Sequence, residues 1–421
     1  MAGNLGCYPR HAAGPGERIV RLLAFIAVLA CAPAAAASGV WTGTLVDPAY
    51  LESIGDDSPT PPRGGTAAER ALARPALPAV PSAPPTGLVR AQAEYEENDG
   101  LIVRWGQQNA LLTEMTVAVT TLTPDAKMYI VVTGAAQQSS ATTTLTTAGA
   151  NLSRVQFIAQ ACTGVETGCN VWMRDYGPRF VDNDGVRAAI DHVYNRTGRN
   201  GDDRFPITWA AVTGEPRYDI PLVHGGGNFH LFSNRRAFMT QLIQNENPAR
   251  TAQEIRDLYT QYQGLDVAIV PAFPTTFDAT QHIDMWIYPV DDDEVIVSQY
   301  PASVGTPATI SNDFAAARAA EGMTVYRTPG WQSGGTHFTY ANGVVINNIV
   351  MVCRFNNSQT PSGTGAENTQ AANTYAAAFE DKTIVTVNCA NIIPSAGAIH
   401  CIVMHVPRMG ILPALLSDGF E

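Results

Sequence analysis

Apolar positions along the chain fall into short blocks, and the spacing inside the blocks keeps changing. Leu101-Ile102-Val103-Arg104-Trp105 is a near-continuous run that predicts a buried strand. Residues 110–119 carry helical spacing, and 127–132 alternate as a strand does. Residues 142–152 predict a helix, and Val155-Gln156-Phe157-Ile158 a return to strand. The alternation persists, with strands over 267–270 and 294–298 and a helix over 314–321. A strand over 344–352 is interrupted by Asn347-Asn348, then a helix over 370–379 precedes a strand over 384–387. Strands and helices in turn, with no linker between them, predict an α/β architecture. No sequence repeat stands out, but units alike in kind permit a pseudo-symmetric fold.

The two ends depart from this pattern. Arg10, Arg18 and Arg21 precede an apolar run over 22–31 and a stretch of alanines ending at Ala37. A basic start, a short apolar run and an Ala-x-Ala site predict a secretory signal peptide over residues 1–37. The expected location is therefore secreted or periplasmic. A lipid-anchored alternative at Cys31 is weaker, because Leu29 fits such a site poorly. Residues 38–87 are dominated by Pro, Ala, Gly and Ser and predict a mostly extended or disordered linker, with at most a helical turn over 69–74. Residues 88–410 then form the expected catalytic domain, followed by a tail over 411–421. Beyond the signal, no apolar run is long enough to span a bilayer.

Charge and cysteines narrow the reading. The net charge of -12 argues against nucleic acid as a partner and weakly favours cationic ligands. Five cysteines remain after residue 37. In an oxidising compartment Cys162 can pair with nearby Cys169, and Cys353 with Cys389, each at the end of a strand-like run. Cys401 is then left over, and an odd thiol in an exported chain is a candidate for reactivity. It follows the small and turn-forming residues Pro394-Ser395-Ala396-Gly397 and opens an apolar run, which suggests a thiol held by a strand and reached through a loop.

Four other stretches could join it. Trp172-Met173-Arg174-Asp175-Tyr176-Gly177-Pro178 packs an aromatic wall and an acid into one turn, suited to a cation. His282-Ile283-Asp284, read as a strand, puts His282 and Asp284 on one face as an acid/base beside a charge anchor. They could also be metal ligands, but no third ligand has suitable spacing, so neither metal nor cofactor is expected. Asn342-Gly343 reads first as a hairpin turn. His224-Gly225-Gly226-Gly227-Asn228 reads as a tight bend lining a pocket, without the Lys-Ser/Thr ending of a phosphate loop. Two separated carboxylates, a histidine and a thiol suit attack on a guanidinium carbon. That cation stays protonated and needs fixed anionic acceptors, which Asp175 and Asp284 can be. The cation in turn favours the thiolate, and His282 can protonate departing ammonia and then activate water. His400, adjacent to Cys401, would point to the opposite face of a strand and is the weaker base.

These stretches together resemble the agmatine deiminase and bacterial (Porphyromonas-type) peptidylarginine deiminase family. Trp172-x-Arg174-Asp175-x-Gly177-Pro178, His282-Ile283-Asp284-Met285-Trp286, Asn342-Gly343 and Gly397-Ala398-Ile399-His400-Cys401 match its motifs, and the resemblance runs from about Val89 to about Pro407. It implies a five-bladed pseudo-symmetric α/β propeller of ββαβ units. It also implies Cys401 as nucleophile, His282 as acid/base, Asp175 and Asp284 as guanidinium anchors, and Asn342 in support. Trp172 and Asn228 would line the substrate site. Arg196 and, with a wider spacing, Arg199 resemble the arginines that hold a C-terminal arginine's carboxylate in the peptidyl branch. The expected reaction converts arginine in peptides or proteins to citrulline and ammonia through a Cys-linked thiouronium. Agmatine or another small guanidine is the alternative substrate. A cysteine peptidase and a non-catalytic guanidine-binding protein are the other readings.

Overall fold

The computed structural model describes residues 39–77, 82–162 and 169–408. The expected signal peptide, the alternative lipid site at Cys31 and the tail over 411–421 lie outside them. Five separate small sheets carry the fold. In each, an antiparallel pair is followed by a helical crossover to a third strand that pairs in parallel. Ile287–Asp291 and Glu294–Gln299, for example, are followed by the helix Thr306–Ala320 and the parallel strand Thr324–Ser333. Val344–Ile346 and Ile349–Arg354 repeat this with the helix Ala366–Ala378 and the strand Thr383–Asn388. Arg179–Asn183 and Val186–Tyr194 lead through Phe205–Thr213 to Arg217–His224. One sheet joins distant parts of the chain: Met404–Pro407 pairs antiparallel with Asn98–Arg104, which pairs in parallel with Lys127–Val132. The inner strands Lys127–Val132, Glu294–Gln299 and Ile349–Arg354 are covered on both faces and read as largely apolar runs, whereas Thr324–Ser333 and Val155–Ala159 are only partly covered.

Local structure departs from the sequence reading in several places. The helix expected over 142–152 is Ala135–Thr147, followed by a 3₁₀ turn at Leu152–Arg154. The hairpin turn expected at Asn342-Gly343 is at Asn347-Asn348, where Ile346 pairs with Ile349 and Asn347 takes a left-handed φ of 50°. Cys162 is paired with Cys169, and Cys353 with Cys389, while Cys401 is free and buried. No helix among the described residues is long and apolar enough to cross a membrane.

The largest departure is the expected linker. Residues 39–77 are a strap with defined structure. Gly39–Val40 adds a parallel edge strand to Thr383–Asn388. Pro48–Ser53 is a short helix whose N-terminus is capped by the Asp47 side chain. The Asp57 and Ser58 amides donate to the Gly106 carbonyl at 2.8 and 3.1 Å, and Asp56 accepts from the Asn109 amide at 2.7 Å. Ala67–Ala71 is a helix closed by a Thr66/Glu69 capping box. Composition reports how much apolar surface a segment can bury, and this segment has little. It is ordered instead by polar contacts to a preformed body, which composition cannot register.

Candidate active site

Asp175, His282, Asp284, Asn342 and Cys401 converge from separate parts of the chain, all at strand ends or short turns. Asp175 lies on the single helical turn Met173–Tyr176, and Asp284 on the 3₁₀ turn Ile283–Met285 that His282 caps. Cys401 is in the 3₁₀ turn His400–Ile402. Neither His282-Ile283-Asp284 nor Cys401 is therefore on a strand, as the sequence suggests. Tight turns let neighbouring side chains face one cavity, which strand alternation forbids. This also places His400 differently: its Nδ1 lies 3.0 Å from Asp284 Oδ2 and its Nε2 3.1 Å from Glu94.

The cavity between the two aspartates holds a guanidinium supplied by the strap. Arg63 donates from Nε and Nη2 to Asp175 at 3.0 and 2.7 Å, and from Nη1 and Nη2 to Asp284 at 3.0 and 2.8 Å. Its Nη1 is 2.6 Å from Cys401 Sγ. Arg63, Asp175, Asp284, His282 and Cys401 have no exposed surface. Two forks on one planar cation use four of its five donors and the sulfur contact takes the fifth, a geometry for which guanidinium is suited and ammonium is not.

Glycines make the cavity possible. A Cβ on Gly227 would stand 1.7 Å from Arg63 Nη2, and one on Gly225 would crowd the His282 ring at 2.8 Å. A Cβ on Gly397 would meet the Trp172 ring at 2.5 Å and the Arg63 stem at 3.0 Å. The Gly227 amide also donates to Asp175 at 3.1 Å. Asn342 fastens three parts together. It donates to the Asp284 carbonyl at 2.9 Å, accepts from the His400 amide at 3.0 Å, and its Oδ1 is 3.3 Å from Cys401 Sγ. The Ala398 amide donates to that sulfur at 3.2 Å.

The electrostatics follow. Burial alone would raise Asp175, but Arg63 and His282 hold it well below the usual carboxylate range. Burial likewise opposes the Asp284 charge, and Arg63 and His400 more than offset it. Burial pushes the Cys401 thiol well up, with Asp284 and Asp175 adding to it, and Arg63 is the cation that pulls it back down. His282 is lowered, first by burial and then by Arg63, so its ring is neutral near pH 7. Its Nδ1 is 3.5 Å from Asp175 Oδ1, and neither ring nitrogen has a hydrogen-bond partner among the described residues. Beneath the site, Arg174 pairs with Glu94 at 2.5 Å and not with Asp175. Glu94, His230 and His400 present ligand atoms within 4.8 Å of one another. With Arg174 already on Glu94, they form a polar support for Asp284.

Of the other expected site residues, Trp172, Arg196 and Arg199 face the strap that fills the cavity, and Asn228 is placed differently. The Asn228 side chain is spent on the Thr240 backbone, accepting from its amide at 2.9 Å and donating to its carbonyl at 3.3 Å. It supports the glycine bend and does not reach the cation. Trp172 donates from Nε1 to the Pro61 carbonyl at 2.9 Å. Arg196 donates to the Arg63 carbonyl at 2.9 Å, and Arg199 to the Pro62 carbonyl at 2.9 Å while forking onto Glu69. These two arginines thus meet peptide carbonyls and a carboxylate of the strap. Sequence reasoning missed Arg63 and Glu69, assigned to a linker, and the bridging place of His400. The signal available for Arg63 was its setting, Pro61-Pro62-Arg63-Gly64-Gly65, one cation in a rigid then pliant stretch.

Residues 90–407 match the family of Porphyromonas-type peptidyl-arginine deiminases. The chain belongs to that family. It is a guanidino-group hydrolase, acting on a C–N bond of a linear amidine. A Photobacterium profundum protein named for agmatine deiminase is 25% identical over 285 residues, covering 56% of this chain and 75% of the relative. Two solved structures share the fold. The agmatine deiminase of Enterococcus faecalis aligns with TM-score 0.63 and 19% identity, over 79% of this chain and 100% of its own. A Porphyromonas gingivalis protein described as an arginine deiminase aligns with TM-score 0.64 and 15% identity, over 76% and 98%. At these identities the likeness speaks for the α/β fold alone.

Proposed function

We propose that this chain deiminates arginine within peptides or proteins, giving citrulline and ammonia. One observation carries the reading: the guanidinium between Asp175, Asp284 and Cys401 belongs to an arginine inside a continuous chain, with Arg196 on its own carbonyl. In the proposed reaction the two aspartates fix the cation, and its charge favours the Cys401 thiolate. Sulfur bonds to the guanidinium carbon and a C–N bond breaks. The neutral His282 ring takes the Cys401 thiol proton and passes it to the departing nitrogen, which leaves as ammonia, and a thiouronium stays on Cys401. Water, deprotonated by the same neutral ring, then displaces the sulfur. Asn342 and the Ala398 amide position the sulfur throughout.

Five sheets of one pattern support the five-bladed pseudo-symmetric arrangement implied by the family. The basic and apolar start of the chain and its two disulfides support export, to the periplasm or beyond. Small guanidines are the second reading, favoured by the agmatine deiminase names of relatives. The test is ammonia release from an arginine peptide, a peptide ending in arginine, free arginine and agmatine, by a chain carrying Arg63→Ala so that the cavity is open. Peptide arginine is expected to be converted fastest, with turnover lost in the added variant Cys401→Ala. Faster conversion of agmatine would overturn the peptide reading. Peptide-bond cleavage, or binding without turnover in either protein, would overturn deimination itself.

A further inference from the structure

We propose that Arg63 is the enzyme's own first substrate: Cys401 deiminates it within the same chain, and the loss of its charge releases the strap from the active site. The inference rests on the deiminase reading above and goes past it, since it assigns a modification site and an activating event to residues of this chain.

Arg63 makes the contacts that would hold a substrate arginine's guanidinium and backbone. Its guanidinium is forked by both carboxylates and touches the sulfur. Its backbone is held as a peptide: its amide donates to the Ser395 carbonyl at 2.8 Å, and its carbonyl accepts from Arg196. The two residues before it are read too, Pro61 by Trp172 and Pro62 by Arg199. A lysine here, or a guanidinium turned away from the sulfur, would have ruled the residue out as a substrate; Nη1 of Arg63 instead lies 2.6 Å from Sγ. With Arg63 fully buried, the strap also excludes any other arginine from the cavity.

The balance of the step is that of the general reaction. The Cys401 sulfur bonds to the Arg63 guanidinium carbon, one C–N bond breaks, and the nitrogen departs as ammonia. Water then forms the new C–O bond as the C–S bond breaks, leaving a citrulline at position 63 and a free thiol. No electrons are exchanged with any other species. The product is neutral. A ureido group cannot balance Asp175 and Asp284, so the strap would keep two buried carboxylates without a countercharge, a costly state. Release hydrates them and opens the cavity. The rest of the strap is held by polar contacts that water can replace, and Val46 is its one buried apolar side chain.

The test uses the full chain, made as wild type and as Cys401→Ala, with peptide mapping by mass spectrometry at intervals after purification. Citrulline is expected at position 63 in the wild type and arginine in Cys401→Ala. The rate of appearance should be independent of protein concentration, as an event within one chain must be. Turnover of an added arginine peptide by wild type should show a lag of matching length, absent in Arg63→Ala, which leaves the cavity open from the start. Intact arginine at position 63 in a wild type that does convert the added peptide would overturn self-deimination and leave the deiminase reading standing. A rate that rises with protein concentration would overturn the intramolecular step. Modified Arg63 without any lag would overturn release. A wild type and an Arg63→Ala variant that both leave the added peptide unchanged would instead sink the deiminase reading, and this inference with it.

Discussion

The strand Lys127–Val132 buries five of its six residues, all apolar, under helices and neighbouring strands. The strap over 39–77 is longer by far, yet buries only Val46, Arg63, Gly64 and Gly65. One region is held by apolar area, which responds to volume and temperature. The other is held by a handful of hydrogen bonds and one buried cation, which respond to charge. The contrast bears on function. A body that must present five side chains from distant turns needs a packed core, whereas a segment that must leave the site needs an anchor that a single chemical change can cancel.

The sharpest way to break the comparison is to remove a charge that both turnover and the strap depend on. Asp284→Asn keeps shape and a hydrogen-bond acceptor for His400, but loses half of the anionic clamp. Turnover of an added peptide should fall about a hundred- to a thousand-fold, the range for removing one preorganised electrostatic partner. The strap should loosen at the same time, seen as faster tryptic cleavage after Arg63 when Asp284→Asn is added to Cys401→Ala, in which position 63 stays arginine and is wholly buried. Lost turnover with undiminished protection of Arg63 would mean that the strap is held by something other than its cation.

The converse change is made in the core. Ile130→Ala, at a residue with no exposed surface, should cost about 2–5 kcal/mol in a denaturant titration through lost transfer energy and the cavity left behind. In a Cys401→Ala chain, which keeps its arginine at position 63, tryptic cleavage after Arg63 under conditions where the body stays folded should be unchanged by Ile130→Ala. Parallel changes in both would show that the strap and the body unfold as one cooperative unit.

How far the sequence could be read follows the same division. Apolar periodicity located the strands Lys127–Val132, Val155–Ala159 and Thr383–Asn388 and the helix Ala366–Ala378 closely, because burial wrote itself into residue type there. The residues meeting at the cavity were legible through their chemistry. Their local conformation was not, since Asp284 and Cys401 sit in turns where no periodicity operates. Asn228 looked like a ligand contact because a polar residue after glycines can be one, but its amide matches the Thr240 backbone better. Arg63 was invisible because its partners are 112 and 221 residues away and its neighbours carry a linker's composition.

The smallest expected effect tests whether the strap has a second electrostatic point of attachment. Glu69 is forked by Arg199 at 2.7 and 3.0 Å and caps its own helix through Thr66. Burial works against its charge, yet Arg199 and Thr66 lower it from 4.5 to about 2. The depressed value means that the charged form is favoured when docked. Its contribution is fully present above about pH 4.5, where a free Glu is ionised, and is lost as pH falls through about 2. Glu69 is only partly buried, so Glu69→Gln should cost the docked strap no more than ~1 kcal/mol. With Cys401→Ala in both chains to keep the strap docked, hydrogen exchange of the strap amides, corrected for intrinsic rates, should be a few-fold faster with Glu69→Gln than without it at pH 6, the two converging towards pH 2. Asp175 is held well below the usual carboxylate range, so the Arg63 anchor should outlast this step on acidification. A difference that instead widened below pH 4.5 would mean that Glu69 acts in its neutral form and that its pairing with Arg199 contributes nothing to docking.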